Sequence, residues 1–174
     1  YTAKIPISHL CGGDITEGAY DDAFRHSITK MAYLHFTDTI LSSKRVIQLG
    51  EEPSRVYCYG TLGNDEFFKI KYKNKNELEN KVSLSLKNYI LIVYHTITLE
   101  KEDPSIFFEE MLKYLLNNFL SYNFIIIKGN SDSYGRSINQ KIDILENKYP
   151  TRIRSFISLS REEYLSFLKN ADLM

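Results

Sequence analysis

Between positions 9 and 26 the chain gathers groups that can move protons: His9, Asp14, Glu17, Asp21, Asp22, Arg25 and His26, with Cys11 among them and Gly12, Gly13 and Gly18 interspersed. Carboxylates held close together raise one another's pKa, so one can accept a proton while another donates, and a neighbouring arginine offsets part of the repulsion. Abstraction of a C–H proton coupled to departure of a leaving group needs that combination. Each residue also has a plain structural reading, with Asp21 and Asp22 serving a helix start, Glu17 solvated and His9 a hydrogen-bonded core histidine. The cluster, rather than any single member, points to acid/base chemistry. The acids and histidines lack a compact ligand spacing such as H-E-x-x-H, so no metal is expected. Nothing beyond nearness to His9 supports Cys11 as a covalent nucleophile.

Two further segments carry chemistry. In Tyr94-His95-Thr96-Ile97-Thr98-Leu99-Glu100 a histidine directly follows an apolar run. At a strand end such a side chain donates to a phosphate oxygen or protonates a leaving group, although an isolated surface histidine reads the same way. In Gly129-Asn130-Ser131-Asp132-Ser133-Tyr134-Gly135-Arg136 short polar groups precede a helix, a pattern that suits an anion or hydroxyl site and that many strand-to-helix turns share.

These groups need elements to position them, and the apolar periodicity supplies a strand and helix alternation. Ile5–Leu10 reads as a short strand ended by Gly12-Gly13, and Phe24, Ile28, Met31 and Ala32 recur at helical spacing behind Asp21 and Asp22. Leu34–Ile40 reads as a second strand, Ser42 as the cap of a helix that ends at Gly50, and Arg55–Tyr59 as a third strand. Farther on, Tyr89–Tyr94, Phe124–Ile127 and Ile153–Ile157 are strands. Asp103-Pro104 opens a helix whose stripe is Phe108, Met111, Leu112, Leu115 and Phe119; Ile138, Ile142 and Leu145 mark the next; Ser160-Arg161-Glu162-Glu163 is a capping box for the last. Such alternation argues for parallel sheets, in which ligands bind at the carboxyl ends of strands.

A chain of 174 residues with 43% hydrophobic and 25% charged residues has the composition of a soluble globular protein. The 22 basic and 22 acidic residues balance, which excludes a general attraction to nucleic acid or to an anionic membrane. No apolar run approaches a membrane span and no signal-peptide layout is present, so a cytoplasmic location is expected. Cys11 and Cys58 lie in no metal or redox spacing and read as reduced thiols. The Lys/Asn/Glu-rich composition of residues 64–87 predicts a hinge or linker helix between a first α/β domain, 1–63, and a second, 88–174. Both ends look cut within elements, which reads as an internal fragment.

Taken together, these segments resemble the hydrolysing UDP-N-acetylglucosamine 2-epimerases of sialic and related nonulosonic acid pathways. The resemblance rests on His9-x-x-Gly12-Gly13-Asp14, Thr16-Glu17-Gly18, Asp21-Asp22, Arg25-His26, Arg45-Val46-Ile47-Gln48-Leu49-Gly50 and Gly60-x-x-Gly63-Asn64-Asp65. His95-Thr96-Ile97-Thr98, Asn130-Ser131-Asp132 and Glu163-Tyr164-Leu165-x-Phe167-Leu168 extend it over nearly the whole chain. It implies parts of two Rossmann-like parallel-sheet domains of GT-B-like arrangement joined by a hinge, a UDP-sugar substrate in the interdomain cleft, no cofactor, and a homo-oligomer in the full-length protein. By the same resemblance Asp14 and Asp21 are the catalytic acid/base candidates and Arg25 their electrostatic partner, while His95 contacts the diphosphate, Asn130 the nucleotide and Phe167 the uracil. Asp14 stands where the family usually has Glu, Cys11 replaces a histidine and Thr96 a proline, so a bacillosamine-type UDP sugar stays open beside UDP-N-acetylglucosamine. A non-hydrolysing 2-epimerase is the alternative within enzymes, although its H-V-E-A-G and P-E-E-x-N-R motifs are not found here. An inactive nucleotide-sugar-binding module is the alternative outside them, and a glycosyltransferase of similar fold comes third.

Overall fold

The computed structural model describes residues 2–97, 99, 101–129 and 134–174, apart from the side chain at position 66. The chain divides into two compact units, Tyr1–Lys69 and Ile70–Met174. The first unit runs β1 (Ser8–Leu10), α1 (Asp21–Met31), β2 (Leu34–Thr37), α2 (Ile40–Gln48) and β3 (Val56–Cys58). The second runs α3 (Lys75–Val82), β4 (Tyr89–Val93), α4 (Ser105–Asn118), β5 (Asn123–Ile127), α5 (Gly135–Lys148), β6 (Ile153–Phe156) and α6 (Arg161–Asn170). Each unit holds a three-stranded parallel sheet, ordered β1-β2-β3 and β4-β5-β6. The expected class, α/β with parallel sheets, is what the chain adopts. The 64–87 stretch divides between the units, and α3 packs against the second sheet through Leu78 and Val82.

The second sheet is covered on both faces, as parallel sheets are. Side chains alternate along its strands. Ile90, Ile92, Phe124 and Ile126 pack with Phe108 and Leu112 of α4 and with Ile138 and Ile142 of α5. Tyr89, Leu91 and Ile125 face the other way, onto Leu78 and Val82 of α3 and Phe167 of α6. Past α6 the chain returns beside β4 on the edge away from β5, where Leu173 bridges to Ile90 in parallel and the Leu91 amide donates to the Leu173 carbonyl at 2.9 Å.

The first unit is built differently. Among the described residues its one buried apolar side chain is Val46, whereas His9, Thr29, His35, Thr37, Ser42 and Glu51 are all buried. The α1 apolar positions do not face the sheet: Phe24, Ile28 and Met31 are 60, 40 and 43% exposed. Arg25 and Thr29, one step around the helix, turn inward, and the Thr29 hydroxyl sits 3.1 Å from Nδ1 of His9. Helical spacing fixes which residues share a face, not which face is covered.

Two helix starts also differ from the sequence reading. Thr39, not Ser42, caps α2, because the Thr39 side chain accepts from the Ser42 amide. Tyr20 precedes α1 without a side-chain cap, which leaves Asp21 and Asp22 as first-turn acids. The Ser160 capping box of α6 forms as read, and Asn74 and Glu77 form another on α3.

Candidate active site

The acid-rich loop leaves the carboxyl end of β1, and two glycines let it fold tightly onto α2. Gly13 has φ +84°, and a Cβ there would lie 2.2 Å from the Ser42 carbonyl oxygen; a Cβ on Gly12 would lie 2.9 Å from His9 Nδ1. That close approach puts Asp14 over the first turn of α2, where its carboxylate accepts a 2.5 Å hydrogen bond from the Ser42 hydroxyl. Ser42 is itself 2.7 Å from the Thr39 hydroxyl. Arginines hold the loop backbone. Arg45 donates to the Gly13 carbonyl at 3.2 Å, and Arg25 donates to the Asp14 carbonyl at 3.1 Å and to the Thr16 hydroxyl at 3.0 Å.

Arg25 therefore engages the backbone of Asp14 rather than its carboxylate. The acid facing Arg25 is Asp22, whose Oδ1 lies 3.9 Å from the guanidinium and accepts from the Thr16 amide at 3.0 Å, while its Oδ2 lies 3.5 Å from Nε2 of His26. The Asp21 side chain is exposed and makes no hydrogen bond or ion pair among the described residues. The structure brings Asp14, Arg25 and Asp22 into one network and leaves the Asp21 carboxylate open to solvent. Sequence reasoning put Asp22 and His26 in the acid/base cluster and read Ser42 only as a helix cap; the i, i+3 and i, i+4 spacing of Asp22, Arg25 and His26 carried their pairing, whereas nothing local signalled the Asp14–Ser42 contact. His9, beneath the loop, has its pKa lowered by burial and by the nearby His35, Arg25 and His26, which holds it neutral.

A second feature lies at the same end of the first sheet. Leu10, Cys11, Phe36, Asp38, Tyr59 and Leu62 line an apolar slot of about 180 Å3, with Thr37 and Gly60 completing it. The Phe36 ring stacks on Tyr57 at 5.6 Å and on Tyr59 at 6.2 Å.

In the second unit His95 lies two residues past the end of β4 and is exposed. It lines a shallow groove of about 300 Å3 with Val93, Lys128, Ser158 and Tyr164, at the carboxyl ends of all three strands. Lys128 is ion-paired to Asp143 at 2.5 Å. The Gly129 amide and carbonyl are clamped by the Asn139 side chain at 3.1 and 3.2 Å, which fixes where the next loop departs. Asn130, with Ser131 and Asp132, lies outside the described residues. Phe167 is fully buried between Tyr89 and Phe156, at centroid distances of 6.4 and 6.0 Å. Phe167, which the resemblance places near the uracil, has no exposed ring face here and packs in the core of the second unit. Among the described residues no three His, Cys, Asp or Glu side chains converge as a metal site, and no helix is long and apolar enough to cross a membrane.

The chain was compared with known proteins. It is 37% identical over 171 residues to the GDP/UDP-N,N'-diacetylbacillosamine 2-epimerase (hydrolyzing) of Campylobacter jejuni, covering 98% of this chain and 44% of that protein. It is 38% identical over 166 residues to the polysialic acid biosynthesis protein P7 of Escherichia coli, covering 95% and 42%. The chain thus spans somewhat under half the length of the curated relatives it matches. Among solved structures, the Methanocaldococcus jannaschii UDP-GlcNAc 2-epimerase in complex with UDP-GlcNAc and UDP aligns with a TM-score of 0.77 at 14% identity, covering 99% of this chain and 48% of that one. The Neisseria meningitidis enzyme bound to UDP-GlcNAc gives 0.74 at 15% identity, covering 98% and 47%. These likenesses establish the GT-B-like fold. The family model described as UDP-N-acetylglucosamine 2-epimerase matches residues 1–174, and the chain belongs to that family.

Proposed function

We propose that the protein carrying this chain is a hydrolysing 2-epimerase of a UDP-linked 2-acetamido sugar. The base removes the proton from C2, the C1–O bond to UDP breaks, and a glycal with a C1–C2 double bond forms. Water then adds its hydroxyl to C1 while a proton returns to the opposite face of C2, which releases UDP and the free 2-epimer. Asp14 and Asp21 are the two carboxylates assigned to proton transfer. Asp14 is oriented by the Ser42 hydroxyl, and Asp21 is unencumbered at the first turn of α1. Arg25 and Asp22 act as positioning residues that hold the loop between them. His95 is assigned to the diphosphate and Asn130 to the nucleotide. Because Leu173 pairs on the far side of β4 from β5, the strand order reverses at β4, and ligands in such sheets sit at the carboxyl end of that reversal, where His95 lies. The full-length protein is proposed to be a homo-oligomer.

The observation that carries the reading is the match over nearly the whole chain to a relative whose described reaction is hydrolysing. That relative's substrate is a diacetylbacillosamine nucleotide, so the 2,4-diacetamido sugar stands beside N-acetylglucosamine as the candidate. The decisive experiment incubates the full-length protein with each UDP sugar in D2O and follows products by NMR. Free 2-epimer carrying deuterium at C2, with equimolar UDP, is the expected outcome. A UDP-linked 2-epimer would place the protein with the non-hydrolysing enzymes instead, and UDP-sugar binding without products would make it a binding module.

A further inference from the structure

The apolar slot at the carboxyl end of the first sheet plays no part in the proton transfers assigned above. At about 180 Å3 it is far smaller than the several hundred Å3 that a whole nucleotide sugar requires. It matches a single compact group, since an apolar cavity of roughly 150 Å3 accommodates one benzene-sized molecule. Its polar endowment is narrow. The Thr37 hydroxyl is 2.6 Å from the Ser43 hydroxyl, and the lining carries the Asp38 carboxylate. Asp38 only accepts, and no cation lines the slot, so a diphosphate has no partner there, while the nucleotide is assigned to the second unit. The group that fits is a small apolar one beside an N–H donor, with any carbonyl oxygen left at the open mouth.

We propose that this slot binds the acetamido group of the sugar, with the acyl methyl against Leu10, Phe36, Tyr59 and Leu62 and the amide N–H donating to Asp38. The inference rests on the acetamido-sugar reading above and adds to it the residues that select the acyl group. Its position is chemically apt. The carbon to be deprotonated bears the acetamido nitrogen, so a methyl seated in the slot leaves C2 at the mouth, where the Asp14 loop begins. Cys11 marks that junction, since it lines the slot and stands three residues before Asp14 at the start of the loop. Asp38 is thereby the residue that selects the amide.

The test compares UDP-N-acetylglucosamine with UDP-N-propanoylglucosamine in the full-length protein. Leu62 is 61% exposed, so Leu62→Ala enlarges the slot without opening a core cavity. One methylene in a fitted pocket is worth about ten-fold or more, so the propanoyl-to-acetyl ratio of kcat/KM should rise by about that factor in Leu62→Ala. Asp38→Asn should lower kcat/KM for both sugars while leaving their ratio unchanged. Turnover with an unaltered ratio in Leu62→Ala overturns the slot. A separate arm needs no turnover: saturation-transfer NMR with free N-acetylglucosamine should show its methyl as the most strongly saturated group, and Leu62→Phe should abolish that preference. Methyl saturation without UDP release from any sugar would retain the slot and discard the proposed reaction. Release of UDP with no methyl preference would do the reverse.

Discussion

Glu51 has both carboxylate oxygens engaged inside the first unit, one with the Lys30 ammonium and the other with Nε2 of the fully buried His35 at 3.2 Å. Burial pushes its pKa up, but the hydrogen bonds and charges of Lys30 and then His35 outweigh that and hold it below the usual carboxylate range. A depressed folded pKa contributes stability that is complete above the unfolded value near 4.3 and is lost as pH falls through the folded value. Removing one partner of a buried pair is costly, and half-exposed Lys30 moderates the cost, so Glu51→Gln should destabilise by on the order of 2 kcal/mol at pH 7. Urea denaturation at pH 7 and again below pH 4 checks this, because the deficit should shrink in acid. Nearer the chemistry, Asp14→Asn and Asp21→Asn should each lower UDP release by the full-length protein by roughly 10²- to 10⁴-fold, the usual range for a general acid or base. Equal rates in Asp21→Asn would shift the second role to Asp22. Gly13→Ala is a different lesion. It strains a left-handed backbone and drives a methyl into the Ser42 carbonyl, so it should reduce folded yield as well as rate.

At the scale of elements, α3 and α6 are locked by Glu163, which accepts from Lys81 at 2.5 Å and Lys73 at 3.2 Å and completes the α6 capping box. The Lys81 ammonium above all holds its carboxyl at about 2, against some burial and with help from Lys73 and Ser160. The stabilisation is therefore intact above about pH 4.5 and fades toward pH 2. Glu163→Gln should remove that acid-limb dependence, whereas Ser160→Ala should cost about 1 kcal/mol through the lost cap and leave the larger, Lys81-driven part of the dependence in place; melting temperatures across pH 2–7 separate the two. The last helix and the buried strands were legible because a capping box and two-sided apolar runs are local patterns, whereas the Asn74–Glu77 box of α3 went unread within a stretch taken as a linker. Phe108, Leu112, Ile138, Ile142 and Leu145 lie buried as their spacing implies. The first unit was less legible. Phe24, Ile28 and Met31 obey helical spacing and still face outward, and Asp22 looks like a helix cap until the chain folds back to bring the Thr16 amide to it. The Asp14–Ser42 bond joins residues 28 apart, a separation that no local pattern encodes.

Across the whole molecule the two units differ in what holds them. The second has apolar layers on both sides of its sheet, whereas the first relies on buried polar contacts and leaves Leu10, Tyr57 and Tyr59 of its sheet and the loop beyond 38% or more exposed. Regions with few buried apolar contacts open first. Limited proteolysis of the 174-residue chain should accordingly cut before Lys69 and leave a resistant product that begins near Ile70; the opposite order would show that polar networks alone make the first unit the sturdier. Apolar surface of this kind also favours self-association, and the chain alone should release no UDP from a UDP sugar, because proton removal, diphosphate departure and closure act as a unit. The return of the chain past α6 has a consequence of its own. The Tyr89 amide donates to the Asp172 carboxylate and the Leu91 amide to the Leu173 carbonyl, so one flank of β4 is closed by residues 172 and 173. Those two amide protons are timers for the chain end: trimming Asp172–Met174 should release their deuterium exchange by orders of magnitude while the Phe124 amide, bonded to the Arg152 carbonyl on the opposite flank of β5, keeps its slow rate.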